Sequence, residues 1–263
     1  MHYETLQWKV AENVGILTLN RPEKLNSFNL RMFEEIKEVL RGTEDNASVR
    51  AIVINGSGNS FSAGGDMELL KYLQGIEAGN PLEKALTDLL ELGNRLYELE
   101  IPTVVAVRGY CLGVGLSLAL LGDIRLASEN AVFGAEFIAM GIVPDMGLMY
   151  TLPRLVGPAR AKELILTCRR IKAPEAERIG MVNTIVPDKH LEEEALKIAT
   201  RIGKLPAVAI RMTKKGLNQS SAGQLEEMLQ YESRAQAVCL KTEDHKEAVA
   251  AFLARRKPEF KGK

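Results

Sequence analysis

The chain has 263 residues, 46% hydrophobic and 26% charged, and its 34 Lys and Arg balance 34 Asp and Glu to a formal net charge of zero. That is the composition of an ordinary globular protein with one large core, or one domain with an appendage, and the missing basic excess argues against a dedicated nucleic-acid binder. No apolar run nears the ~20 residues that a membrane span needs, and the start MHYETLQWKV lacks the pattern of a signal peptide. Cys111, Cys168 and Cys239 are widely spaced with no CxxC pair, so they read as free thiols of a cytoplasmic protein and not as a zinc site.

VGILTL (14–19) reads as a strand, and LRMFEEIKEVLRG as a helix with Phe33, Ile36 and Leu40 on one face, Asn29 as N-cap and Gly42 as stop. AIVIN (51–55) is a continuous apolar run, as in a strand covered on both faces. A helix around 82–99 leads to strand TVVAV (103–107), helix LGVGLSLALL and strand IRLA (124–127). This alternation predicts an α/β fold with parallel strands joined by right-handed crossovers. From about Pro158 helices dominate, with NTIV (183–186) as the remaining strand signal. Leu191, Ala195, Ile198 and Ile202 form one apolar stripe and Met228, Tyr231, Ala235 and Val238 another; both suit intrachain core, and the later helices also suit a subunit interface.

Two glycine-rich turns follow strands and precede helices: FSAGGDM, with Gly64, Gly65 and Asp66, and RGYCLGVGLSLAL, with Gly109, Gly113 and Gly115. Alone, the first is a tight turn with Asp66 as an N-cap. The second fails as a P-loop, since no Gly-Lys-Ser/Thr follows, and as a G-x-S-x-G elbow, since Ser117 falls two places past Gly115. Gly113 and Gly115 half match the dinucleotide fingerprint, but Leu118 holds its third place. Paired, the turns can aim two backbone N–H groups at one carbonyl oxygen, which is the construction of an oxyanion hole.

LNRPEKLNSFN, FSAGGDM, RGYCLGVG, FGAEFIAMGIVPDMG and EAVAAFLARRKPEF, in that order along nearly the whole chain, resemble the enoyl-CoA hydratase/isomerase (crotonase) superfamily. The resemblance implies a crotonase-like spiral of ββα units (1–195) followed by a helical trimerisation region (196–263), assembled as a trimer or a dimer of trimers. It implies an acyl-CoA substrate, with coenzyme A part of that substrate and no further cofactor. It places the two oxyanion amides on Gly65 and Val114, the valine standing where the family often has glycine. It sets Lys24, Leu25, Ala63, Gly64, Asp66, Met67, Leu112, Gly113 and Phe137 along the substrate, and Phe252 and Arg255 on the coenzyme A of a neighbouring subunit; solvated surface is the plainer reading of Lys24 and Arg255.

The family's hydratases use two glutamates to handle water. Here Ser117 and Phe137 occupy those places, and Glu136 lies one residue away, where it also reads as an exposed helix-start acid. Asp145 remains. Among apolar neighbours its pKa should be raised, which suits a group that takes and returns a proton. From the residues alone it reads as the N-cap of the following helix; the resemblance makes it the proton shuttle of a double-bond isomerase, closest in motif to ring-1,2-epoxyphenylacetyl-CoA isomerases. Hydration through Glu136 or Asp145, an aspartate-nucleophile dehalogenase, an RNA-binding relative and a non-catalytic CoA scaffold stay open as alternatives.

Overall fold

The protein is described here by a computed structural model covering residues 2–44, 46, 48–220 and 224–263. It opens with an antiparallel pair, β1 (Leu6–Ala11) and β2 (Val14–Leu19). In α1 (Leu30–Glu44) the Met32 amide donates to Asn29 Oδ1 at 2.9 Å, the expected cap. The helix does not stop at Gly42 but runs on to Glu44. One interior glycine costs a helix only about 1 kcal/mol, and Leu40 and Thr43 bury the last turn.

β3 (Ala51–Gly56) leads to α2 (Met67–Gln74) and α3 (Asn80–Glu98). β4 (Thr103–Val107) leads through β5 (Tyr110–Leu112) to α4 (Val114–Leu121), and β6 (Ile124–Ser128) through β7 (Val132–Gly134) and a 3-10 turn at Ile138–Met140 to α5 (Leu148–Val156). Next come α6 (Pro158–Thr167), β8 (Ile171–Lys172), α7 (Ala173–Arg178) and β9 (Thr184–Val186). The chain ends in α8 (Leu191–Gly203), α9 (Ala207–Ser220), α10 (Leu225–Cys239) and α11 (Glu243–Leu253).

Two sheets result. The larger runs β1-β2-β3-β4-β6-β9, parallel from β2 onward; the smaller runs β5-β7-β8. β5 and β7 pair in parallel, as do β4 and β6 before them. The residues after β3 join this second layer through a parallel bridge from Ser62 to Cys111 of β5, and Phe28 bridges Gly65 in turn. Each unit therefore sends one strand to the large sheet, the next to the small layer, then a helix outward: the spiral of ββα units expected from sequence. β4 is buried along its whole length, as a covered parallel strand should be.

The main core fills the space between the layers and α1, α3, α4 and α5, with Phe28, Phe61 and Phe133 fully enclosed. A second core lies on the other face, where Leu191, Ala195 and Ala199 of α8 cover Val53, Val104 and Leu126. The first late stripe is thus intrachain core, and residues 195 and 196 fall inside a helix that packs on the sheet. On α10 the buried-facing stripe is Met228, Tyr231, Ala235 and Cys239, and Val238 is exposed. Tyr231 donates to Met212 O of α9 at 2.7 Å and its ring lies on Gly216. No helix of the described residues is long and apolar enough to cross a membrane.

Lys214 secures α9 to the sheet. Its ammonium is buried and donates to Asp123 Oδ2 at 2.7 Å and to Ile101 O at 3.0 Å, while Asp123 also accepts from the Thr103 amide. Lys214→Ala strips Asp123 and a buried carbonyl of a donor together, and should lower unfolding free energy by about 1–3 kcal/mol, seen as a lower urea midpoint with the slope unchanged.

Candidate active site

The two glycine turns lie side by side because the backbone ladder forces them to. The Phe61 amide donates to Arg108 O, Ser62 to Tyr110 O at 2.9 Å, and Leu112 back to Ser62 O at 2.9 Å. On the other edge, Ala63 donates to Leu25 O, Phe28 to Gly64 O and Asp66 to Phe28 O. The segment 61–66 is therefore held between the loop after β2 and β5. Gly64 has φ +102°, and a methyl on it would sit 3.3 Å from Leu112 O and 3.8 Å from Gly113 Cα. A methyl on Gly115 would meet Ser62 Cβ at 2.6 Å, so no larger residue lets α4 come this close.

The pairing accounts for the amides of 62, 63, 64 and 66, the Gly64 amide reaching Ser62 Oγ at 3.2 Å. The Gly65 N–H, between them, finds no acceptor among the described residues. Gly113 donates to Gly134 O at 2.9 Å, and the next amide, that of Val114, is the first of α4 and has no intrahelical partner. Two unpaired amides thus stand at adjoining turns, one on the positive end of a helix. The Val114 side chain is buried, so the departure from glycine leaves the donor in place.

The Asp66 side chain is committed to structure. Its carboxylate caps α2, accepting from Leu69 N at 2.8 Å, and also takes Arg21 Nη1 at 2.8 Å. Ala63, Gly64, Met67, Leu112 and Gly113 lie in or beside the turns, with Met67 exposed. Lys24 and Leu25 are exposed on a 3-10 turn hydrogen-bonded to Ala63. Asn26, which the sequence reading passed over, fixes that turn: fully buried at φ 54°, it donates to Ser57 O and Ser60 O at 2.8 Å each and accepts from Arg21 N. The available signal was an asparagine between Leu25 and Ser27, shortly after Pro22, the residue type that tolerates a left-handed backbone. Phe252 and Arg255 are exposed at the end of α11, and the tail beyond them folds back to Arg50 at the start of β3, the opposite end of the sheet from the turns. One chain does not bring them to the site.

Asp145 is no N-cap. Gly147 occupies that position of α5, with no side-chain cap, and only the Asp145 carbonyl takes part, accepting from Leu148 N at 2.9 Å. Consecutive left-handed residues, Met146 (φ 43°) and Gly147 (φ 79°), turn the Asp145 side chain back to α4. There the Ser117 hydroxyl lies 3.5 Å from Oδ1. Burial pushes the Asp145 pKa up to about 6, the Ser117 hydroxyl and a backbone amide pulling the other way. Glu136 has a different fate: Arg170 clamps both its oxygens, at 2.6 and 3.0 Å, beside the Tyr110 ring. Phe137 is buried and its carbonyl accepts from Met140 and Ile142, so the loop to Asp145 exposes Ile138, Met140, Ile142 and Val143.

The sequence matches the enoyl-CoA hydratase/isomerase family model over residues 9–263. The chain belongs to this family. A Mycobacterium tuberculosis protein named a probable enoyl-CoA hydratase is 38% identical over 260 residues, 99% of each chain. The 1,2-epoxyphenylacetyl-CoA isomerase of Escherichia coli is 34% identical over 257 residues, 97% of each. Among solved structures, the enoyl-CoA hydratase of Bacillus anthracis superposes with a TM-score of 0.92 at 32% identity, covering 99% of this chain and 100% of that one. Family membership makes this protein an acyl-CoA enzyme with the crotonase-type spiral, and most relatives' names are those of hydratases.

Two expectations follow from the Asp145 turn. A methyl on Gly93 of α3 would stand 3.2–3.3 Å from the Met146 backbone, so in Gly93→Ala an overpacking cost of about 1–3 kcal/mol should outweigh the roughly 1 kcal/mol that alanine gains in a helix, a net loss of up to about 2 kcal/mol of unfolding free energy. A carboxyl whose folded pKa lies above its unfolded value penalises the fold as pH rises from about 4 through about 6, the penalty being absent below the unfolded pKa and full above the folded one. Asp145→Asn should therefore stabilise the protein by about 1–3 kcal/mol at pH 7 and by almost nothing at pH 3.5, read from paired urea titrations.

Proposed function

We propose that the protein shifts a double bond in an enoyl-CoA or ring acyl-CoA thioester, with Asp145 as its single proton shuttle. The observation that carries this reading is the Asp145–Ser117 contact: Ser117 is three residues along α4 from Val114, about 4.5 Å of helix rise. The carboxyl therefore contacts a side chain in the same helical turn as an unpaired amide.

In the forward direction the Asp145 carboxylate takes a proton from the carbon between the thioester and a 3,4 double bond. The C–H electron pair moves into the carbonyl, and the Gly65 and Val114 amides hold the resulting oxyanion. The protonated Asp145 then delivers the same proton two carbons further on, and the carbonyl re-forms. Nothing is oxidised or reduced and no water is consumed, so the step needs no cofactor beyond the coenzyme A of the substrate. The exposed apolar loop from Ile138 to Val143 supplies a greasy flank for an acyl group. Lys24, Leu25, Ala63 to Met67, Leu112, Gly113 and Phe137 would line the thioester and its pantetheine. Phe252 and Arg255 would reach a neighbour's coenzyme A in a trimer or a dimer of trimers, in the cytoplasm.

Hydration of a 2-enoyl-CoA is the second reading, favoured by the names of most relatives. The fixed Glu136–Arg170 pair counts against Glu136 as the second acid that water addition commonly uses. In that reading Asp145 alone would activate the water.

Assays of 3-enoyl-CoA isomerisation and 2-enoyl-CoA hydration on the same preparations separate the two. Isomerisation should dominate, fall about 10²- to 10⁴-fold in Asp145→Asn, and decline tenfold per pH unit below about 6 as the carboxylate is protonated. Undiminished isomerisation in Asp145→Asn, or hydration as the faster reaction, would overturn the isomerase reading.

A further inference from the structure

We propose that Ser117 is a positioning residue that couples the proton shuttle to the oxyanion site, through a hydrogen-bond chain from Asp145 to the Ser117 hydroxyl to the Gly113–Val114 peptide unit. The inference rests on the Asp145 shuttle reading above.

Ser117 carries the polar side chain of an otherwise apolar helix. α4 has the sequence VGLSLALL, and all of it is buried. A hydroxyl in such a helix carries a desolvation cost that alanine avoids, and alanine is also the better helix former. Its presence therefore needs a polar partner. It has two. Ser117 Oγ lies 3.4 Å from Gly113 O and 3.5 Å from Asp145 Oδ1. A hydroxyl has one proton to donate, so it serves one of these acceptors at a time.

Which one it serves follows the charge on Asp145. With the carboxylate ionised, the hydroxyl donates to Oδ1. Once Asp145 has taken the substrate proton, its own O–H can donate to Ser117 Oγ, and the serine proton turns to Gly113 O. No covalent bond of serine is made or broken; its O–H rotates. Both states of the half-buried carboxyl thus keep a partner, as a group that must accept and then return a proton requires.

The Gly113 carbonyl and the Val114 N–H belong to one peptide unit. A hydrogen bond arriving at that carbonyl polarises the unit and makes the N–H a stronger donor. In the chain above, this happens when Asp145 is protonated, which is when the thioester oxygen carries its negative charge. The oxyanion donor is strengthened in the intermediate and relaxed in the ground state, the pattern that raises kcat and leaves substrate binding alone.

Other charges do not obscure the effect among the described residues. α4 has no ionisable side chain, and the loop over 138–144 has none. On α3, Glu91 and Arg95 beside Gly93 pair with each other at 3.2 Å. Arg154 of α5 stacks on Tyr150, and Glu136 is held by Arg170. What acts on the Asp145 carboxyl is burial, Ser117 and a backbone amide.

The test is Ser117→Ala, read in two ways. Carbon-13 carboxyl NMR of the ligand-free protein, with Asp145→Asn identifying the resonance, should show the Asp145 midpoint moved up by about half to one pH unit, because the carboxylate has lost a donor. Steady-state isomerisation at a pH above both midpoints should show kcat down about tenfold with KM nearly unchanged. Urea unfolding at about pH 3.5, where the carboxyl is protonated in both folded and unfolded protein, should show a variant at least as stable as the parent, which keeps misfolding out of the comparison. An unmoved midpoint overturns the proposal, and so does a loss that falls on KM with kcat intact. Failure of the shuttle reading would look different: Asp145→Asn would keep isomerising while the midpoint shift in Ser117→Ala persisted.

Discussion

The ladder between segment 61–64 and β5 is the interaction on which the site depends. The Ser62 amide donates to Tyr110 O and its carbonyl accepts from Leu112 N, and the Gly64 and Gly113 backbones meet with no side chain between them. The amides on either side of Gly65 are taken by the Ser62 hydroxyl and by Phe28 O on the opposite edge, so that one N–H is left over between them. The same contact seats α4 against Ser62, possible because position 115 has no side chain. The second unpaired amide then falls beside the first. Neither donor requires a particular side chain, which is why a buried valine at 114 is compatible with the role.

Around that frame two carboxyls close in sequence are treated in opposite ways. Glu136 follows β7 and meets Arg170, whose guanidinium matches both its oxygens, so it is held as a charged structural group. Asp145 pairs with no cation among the described residues. It is half-buried with a long contact to a serine, and burial raises its pKa to about 6, into the range where a carboxyl is normally ionised. Such a carboxyl costs folding stability near neutral pH and gains ease of proton exchange. The left-handed turn at Met146 and Gly147, against the bare backbone of Gly93, keeps it in that unfavourable place.

Much of the fold was legible because its central strands are long, β-branched and covered on both faces. VGILTL, AIVIN, TVVAV and IRLA match β2, β3, β4 and β6 to within a residue. β5, β7 and β8 have two or three residues each, too few to show a period, and β1 carries an exposed edge face. These short strands build the second layer, so the spiral was readable from family resemblance and not from periodicity. Asn26 and Gly93 were missed for a similar reason: their work is a contact with residues about thirty and fifty positions away, invisible in local pattern.

What the sequence by itself determined is the alternation of covered strands and helices and the two glycine turns that end them, and, through its resemblance to the family, that Ser117 and Phe137 stand at both glutamate positions. Local propensity and apolar patterning suffice for the strands, helices and turns, since each is a property of neighbours along the chain. Only the tertiary structure decided that Asp145 turns away from the helix it precedes, that Glu136 is spoken for, and that a serine links the carboxyl to the peptide bearing the Val114 amide. Those outcomes depend on which backbone atoms are already paired and which charges lie across the interface, and chain order alone specifies neither.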